Sequence, residues 1–115
     1  MQMPSTNLPG PFALTGAEID RLVTKVSSGA YALGRLNSNT FYVDRVGRSD
    51  VNLNKRLRDY VGQYPYFKAD YFPSAKAAFE KECHLFHDFQ PADNELHPDR
   101  PKGSNWTCPR CRVFD

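Results

Sequence analysis

The 115-residue chain contains no run of about 18 apolar residues, the minimum for a membrane-spanning helix. Its opening, MQMPSTNLPGPF, lacks the basic-then-apolar order of a signal peptide. The expectation is a soluble, cytoplasmic protein with no membrane partner. Cysteine is scarce and odd in number, three in all, which suits no closed set of disulfides. Net charge is low as well: +2 is too small to indicate a nucleic-acid partner unless the cations cluster. No internal repeat is present, and a second domain does not fit. A hydrophobic share of 40% with 13% aromatic residues supplies one core and no more.

What is there is an order of short elements. Residues 1–13 carry Pro4, Pro9, Gly10 and Pro11 and form a leader, either loose or docked in extended form. Thr15 followed by Glu18 is a capping box, opening a short helix with Ile19, Leu22, Val23 and Val26 inward and a stop at Ser27, Ser28 and Gly29. Ala30 to Leu36 and Thr40 to Val46 read as strands joined through Asn37, Ser38 and Asn39 into a hairpin. Asn52 or Asp50 caps a second helix whose buried stripe is Leu53, Leu57 and Val61. Tyr64 to Phe72 is an irregular third strand, interrupted by Pro65. Ser74 then caps a helix from Ala75 to Phe89.

The fold class expected is α+β: a small central, mainly antiparallel, three-stranded sheet flanked by helices, spanning residues 14–89. Beyond Gln90 the chain turns to Pro, Asp, Asn and Gly without hydrophobic period. Residues 90–115 therefore need something other than a core to pin them.

One residue breaks the pattern of the last helix. Ala75, Ala78, Phe79, Leu85, Phe86 and Phe89 share a stripe at about 100° per residue, and Glu82 lies at its centre while Glu80 points away. A buried carboxylate is costly unless it is paired or holds a metal. An arginine partner is the structural explanation, a metal the functional one. Cations do cluster: Arg45, Arg48, Lys55, Arg56 and Arg58 fall within fourteen residues opposed only by Asp50, and Arg100, Lys102, Arg110 and Arg112 form a second basic stretch.

The stretches GAYALGRL, FYVDRVGRSDVNLNKRLRDY and SAKAAFEKECHLF, in that order, resemble the GIY-YIG nuclease domain of phage homing endonucleases, the repair incision nuclease and several restriction enzymes. The resemblance covers roughly residues 28–89. It implies that Tyr31, in Gly29-Ala30-Tyr31, acts as or orients the general base for attack on a phosphodiester. It matches Val46-Gly47 to the second motif, where the glycine lets the backbone pass close to substrate. Arg56 and Tyr60 fall on the helix motif, and Ala78, Glu82 and Leu85 on the pattern that carries the metal-binding glutamate. The second motif's tyrosine is replaced by Arg45.

The chemistry implied is metal-dependent hydrolysis of DNA. Attack on a phosphodiester gathers negative charge on the phosphate oxygens, which a guanidinium (Arg56) and a divalent ion on Glu82 would stabilise. Arg56 and Tyr60 are four apart and share a helix face. Tyr31, with an ordinary pKa of about 10, needs cations such as Arg45 or Arg48 nearby to serve as a base. A single acid suits Mg2+ or Mn2+. Arg45, Gly47, Arg48 and Lys55 are the expected substrate-binding positions, and Asn94 or Asn105 an assisting amide. Loss of the motif tyrosine leaves a second class open: a catalytically silent module that binds nucleic acid or a protein, with Glu82 paired to Arg56.

The cysteines point to a separate zinc site. Cys108-Pro109-Arg110-Cys111 is a CxxC turn, and Cys83 and His87 share a flank of the last helix about 120° from Glu82. Cys83, His87, Cys108 and Cys111 would make a closed, structural Zn2+ tetrahedron, with His97 as the competing nitrogen ligand and His84 on a more exposed face. Such a staple would fold residues 90–112 onto the helix.

Overall fold

The computed structural model describes residues 5–115. In chain order the elements are β1 (Phe12–Ala13), α1 (Gly16–Leu22), β2 (Gly29–Asn37), β3 (Thr40–Ser49), α2 (Leu53–Arg58), β4 (Tyr66–Tyr71) and α3 (Ala75–Phe89). The strands form one antiparallel sheet in the order β1-β4-β2-β3. The class is α+β as expected, with four strands instead of three. The extra strand is two residues of the leader, Phe12 and Ala13, paired with Phe67 and Tyr66, too short to carry a period of its own. Ahead of it, Leu8 is buried under α3 and the leader is docked; Met1 to Pro4 lie outside the described residues.

β2 is the central strand and is covered on both faces. Tyr31 and Leu33 point into a core with Ile19 of α1, Leu53 and Leu57 of α2 and Phe67 of β4. Ala32 points the other way, beside Val46 and Leu85 of α3. Alternation at period two thus sorts the aromatic and branched residues to the α1/α2 face and a small residue to the face where α3 packs.

Local chemistry sets the element ends. Thr15 caps α1 by accepting the Glu18 N–H at 3.2 Å. The helix stops at Leu22, so Val26 loses its helical phase and stands 76% exposed, contrary to its expected inward position. Ser38 and Asn39, at φ of 51° and 65°, make a two-residue turn whose twist matches the strands; Asn37 belongs to β2 and pairs with Thr40. Asn52, not Asp50, caps α2 through the Lys55 N–H at 3.2 Å. α2 ends at Arg58, which leaves Val61 beyond it and exposed instead of buried. Ser74 caps α3 through the Ala77 N–H, and Gln90 closes it in the left-handed conformation, turning the chain back toward β3. Among the described residues no helix is long and apolar enough to cross a membrane.

Candidate active site and metal centre

β3 is an edge strand, and the site lies where the two faces of the sheet meet across it. Along β3 the side chains alternate: Arg45 and Gly47 turn to the α2 face, Val46 and Arg48 to the α3 face. Gly47 is the gap between them. A Cβ at this position would overlap the Tyr31 hydroxyl and ring, so only glycine admits the phenol against the strand. The resulting cleft, about 280 Å³, is lined by Tyr31, Arg45, Arg48, Asp50, Arg56, Tyr60, Glu82 and Asn94 together with the Val46-Gly47 backbone.

Five elements or segments deliver these groups. Tyr31 comes from β2, the arginines Arg45 and Arg48 from β3, Arg56 from α2, with Tyr60 just beyond its end, Glu82 from α3, and Asn94 from the segment after α3. Burial pushes the Tyr31 phenol well above its ordinary value, Tyr60 adds to the shift, and the Arg56 guanidinium opposes it. Tyr31 is therefore a neutral hydroxyl at neutral pH. Tyr31 and Tyr60 meet with ring centroids 5.8 Å apart. Arg56 reaches the Tyr60 hydroxyl at 3.5 Å and pairs with the exposed Asp59 at 3.3 Å. The Arg45 guanidinium lies over the Tyr60 ring, 5.6 Å from its centroid.

Glu82 is only 8% exposed, as its helical phase implies. Its partner is Arg48, whose Nη1 donates to Glu82 Oε1 at 2.7 Å while Nε donates to Asp50 at 2.8 Å. Arg56, the expected structural partner, is not the one used. Arg48 also lies over Phe79, 5.0 Å from the ring centroid, which fixes the plane of its guanidinium. Burial raises the Glu82 carboxyl above its ordinary value and Arg48 pulls against that rise. Glu82 is a hard oxygen donor at a polar cleft, the donor type that magnesium or manganese would take, but its carboxylate is engaged by Arg48. Removing either partner of such a pair strands a buried charge, at a cost of roughly 3–5 kcal/mol.

Of the remaining expected residues, Lys55 does not line the cleft but an adjoining depression with Ser49, Val51, Asn52 and Asp59, which shares Arg56 with it. Of the two asparagines, Asn94 is in the cleft and Asn105 is exposed in the tail. Asn94 is bound to the β3 edge on both sides: its Oδ1 accepts the Val46 N–H at 2.7 Å and its Nδ2 donates to the Val46 carbonyl at 3.1 Å. The side-chain amide thus fills the place of a neighbouring strand. Asp50, Tyr64 and Asp93 complete the surroundings; none of the three was expected as a site residue from the sequence. All three lie in irregular segments or beside them, where periodicity carries no signal.

A second cluster joins α3 to the tail. One ligand atom from each of His87, His97, Cys108 and Cys111 lies within 4.8 Å of the others. The Cys108 Sγ to His87 Nε2 distance is 3.5 Å and the Cys111 Sγ to His97 Nε2 distance 3.4 Å. Zinc bonds of about 2.3 Å to sulfur and about 2.05 Å to nitrogen, at a tetrahedral angle, span about 3.5 Å. The donor set therefore fits, and this His2Cys2 group could hold a metal such as zinc. His97 Nδ1 lies 2.8 Å from the Pro98 carbonyl and donates to it, which leaves Nε2 as the metal-facing lone pair. Burial lowers the His87 ring, favouring the neutral ligand form. Burial works against a Cys108 thiolate, yet the Arg110 N–H, His97 and the Cys111 N–H hold this thiol below its ordinary value.

Cys83, expected as a ligand, stands outside the four. It is fully buried with Phe79 and Cys108 against Trp106 and Phe114, and burial pushes its thiol far up. The i, i+4 spacing to His87 is real, but Cys83 sits one turn down, in the apolar floor beneath the cluster, and the alternative ligand His97 takes the fourth place.

No family model matches the chain, and no curated protein or solved structure is found similar to it.

Proposed function

We propose that the chain is a GIY-YIG-like, metal-dependent endonuclease that hydrolyses DNA phosphodiester bonds, with a structural zinc in the His2Cys2 cluster. The observation that carries this reading is the convergence of Tyr31, Gly47, Arg56, Tyr60 and Glu82 in one cleft. They come from separate elements and match the motif positions in order.

Each group has a part in the reaction. The scissile phosphate sits over Gly47, where the bare backbone allows close approach. Arg56 faces the developing charge on its oxygens and Tyr60 supports the guanidinium. Tyr31, neutral and shielded, orients the attacking water through its hydroxyl and is not a free phenolate. Glu82 would hold Mg2+ or Mn2+, which supplies Lewis-acid stabilisation of the phosphate and leaving oxygen. Arg48, paired with Glu82 in the free protein, would turn to substrate phosphate and so leave the carboxylate open to hold the divalent ion. Arg45 stands in for the motif tyrosine as a further phosphate contact.

The Arg48–Glu82 ion pair also supports a second reading, a silent module that binds DNA without cutting it. A nicking assay on supercoiled plasmid and on branched and single-stranded DNA, with Mg2+ or Mn2+, separates the two. Nuclease activity predicts nicking that falls on the order of 10²-fold or more in Arg56→Ala. Binding that weakens steeply with salt, without nicking on any substrate, would instead establish the silent module.

A further inference from the structure

Arg45 is the least neutralised cation of the cleft. Arg48 is paired with Asp50 and Glu82, and Arg56 with Asp59, whereas among the described residues no carboxylate lies within ion-pair distance of Arg45. It is nonetheless held. Its Nε donates to the Tyr64 hydroxyl at 3.1 Å, and that hydroxyl donates to Asp93 Oδ2 at 2.6 Å. The Asp93 backbone N–H in turn donates to the Asp44 carbonyl at 3.0 Å, next to Arg45 itself, and Asn94 brackets Val46 on the other side. Asp93 is thus anchored to the strand that carries the arginine.

The order of this relay matters. Asp93 accepts the hydrogen bond of the Tyr64 O–H, so toward Arg45 the phenol oxygen can only act as acceptor, and the direction of the guanidinium is set. A carboxylate placed directly on Arg45 would orient it equally well but would neutralise it, as Asp50 and Glu82 do for Arg48. The interposed phenol orients without neutralising. With Nε engaged, Nη1 and Nη2 remain as a donor pair, the geometry that grips two phosphate oxygens. The relay is half-buried at Arg45 and Tyr64 and ends on an exposed carboxylate, and its effect is on direction.

We propose that Tyr64 and Asp93 are positioning residues that aim Arg45 at the phosphate next to the scissile one; this rests on the nuclease reading above. Neither residue touches substrate. The test is a double-mutant cycle read by fluorescence anisotropy on a fluorescein-labelled DNA duplex, and by KM and kcat for cleavage with Mg2+. Tyr64→Phe and Asp93→Asn should each weaken duplex binding and raise KM about 3- to 10-fold, the worth of one aligned hydrogen bond, with kcat within about twofold. Arg45→Ala should lower the salt slope of binding by about one. In the Arg45→Ala background, Tyr64→Phe should have no further effect. An unchanged Kd in Tyr64→Phe, or the same loss with Arg45 absent, overturns the proposal. If Tyr64→Phe melts early, Asp93→Asn, which leaves the ring packing intact, carries the cycle. Wild-type protein that binds but never cleaves removes the nuclease reading while the Kd cycle still decides the positioning role; wild-type protein that does not bind duplex removes both.

Discussion

At Gly47 a single methyl group separates an open cleft from an obstructed one. Its Cβ would occupy the place of the Tyr31 phenol, so Gly47→Ala must displace either the ring or the edge strand. The expected cost is about 1–3 kcal/mol of stability, typical of overpacking. On the nuclease proposal, cleavage should fall on the order of 10- to 100-fold, because the displaced groups are those proposed to align water and phosphate. Urea denaturation and nicking on one preparation measure both. Glu82 yields a pH prediction. Its carboxyl must be ionised to hold a cation, and burial raises its pKa while Arg48 opposes the rise. The acid limb of activity therefore lies above the ordinary glutamate value, and Arg48→Gln, which removes the opposing charge, should move that limb higher. A limb that stays in place would show that Arg48 does not act on Glu82 in the unbound protein. Glu82 was legible in the sequence because a helical wheel reports burial directly. Its partner was not: Arg48 is thirty-four positions away, and which of several arginines meets the acid depends on how α3 lies across β3.

α3 serves both centres, with Glu82 toward the cleft and His87 toward the tail, while Cys83 fills the apolar layer between the helix and Trp106. His97→Ala and Cys108→Ser should each lose the bound zinc, measured as metal per chain after gel filtration. Cys83→Ala should keep about one zinc per chain and cost about 1 kcal/mol for a small buried void. Loss of zinc in Cys83→Ala with retention in His97→Ala would restore Cys83 as the ligand. The helical spacing of Cys83 and His87 reports only that they share a flank, not which of them faces inward, and His97 comes from coil where no period exists. The long elements followed their patterns closely, α3 over the whole of Ala75–Phe89. The short ones did not. α1 ends early, at Leu22, and β1 is two residues within a proline-rich leader, defined only by its pairing with β4.

Across the whole molecule the tail is tied to the cleft. The segment from Gln90 to His97 begins at the end of α3, crosses the β3 edge through Asp93 and Asn94, and finishes at a ligand of the metal cluster. Beyond this segment the tail's apolar contacts are confined to a small cluster around Trp106 and Phe114. Chelation should therefore lower Tm by about 10 °C or more, since each kcal/mol moves a domain of this size by about 4 °C. Limited proteolysis should then cut first within residues 90–112, with cleavage of DNA lost before the sheet unfolds. Chelated protein that keeps its Tm and its protease pattern would contradict a structural metal.

If the proposed site cleaves DNA, Glu82 is the group that holds its metal. Plasmid nicking in Mg2+, duplex Kd and thermal melting should be measured together on wild type and Glu82→Ala. Nicking by the wild type should be abolished in the variant, with Kd within a few-fold. If the wild type does not nick, and the variant differs only by a stability loss of roughly 3–5 kcal/mol, Glu82 is a structural ion-pair partner of Arg48 and the cleft is not a nuclease site.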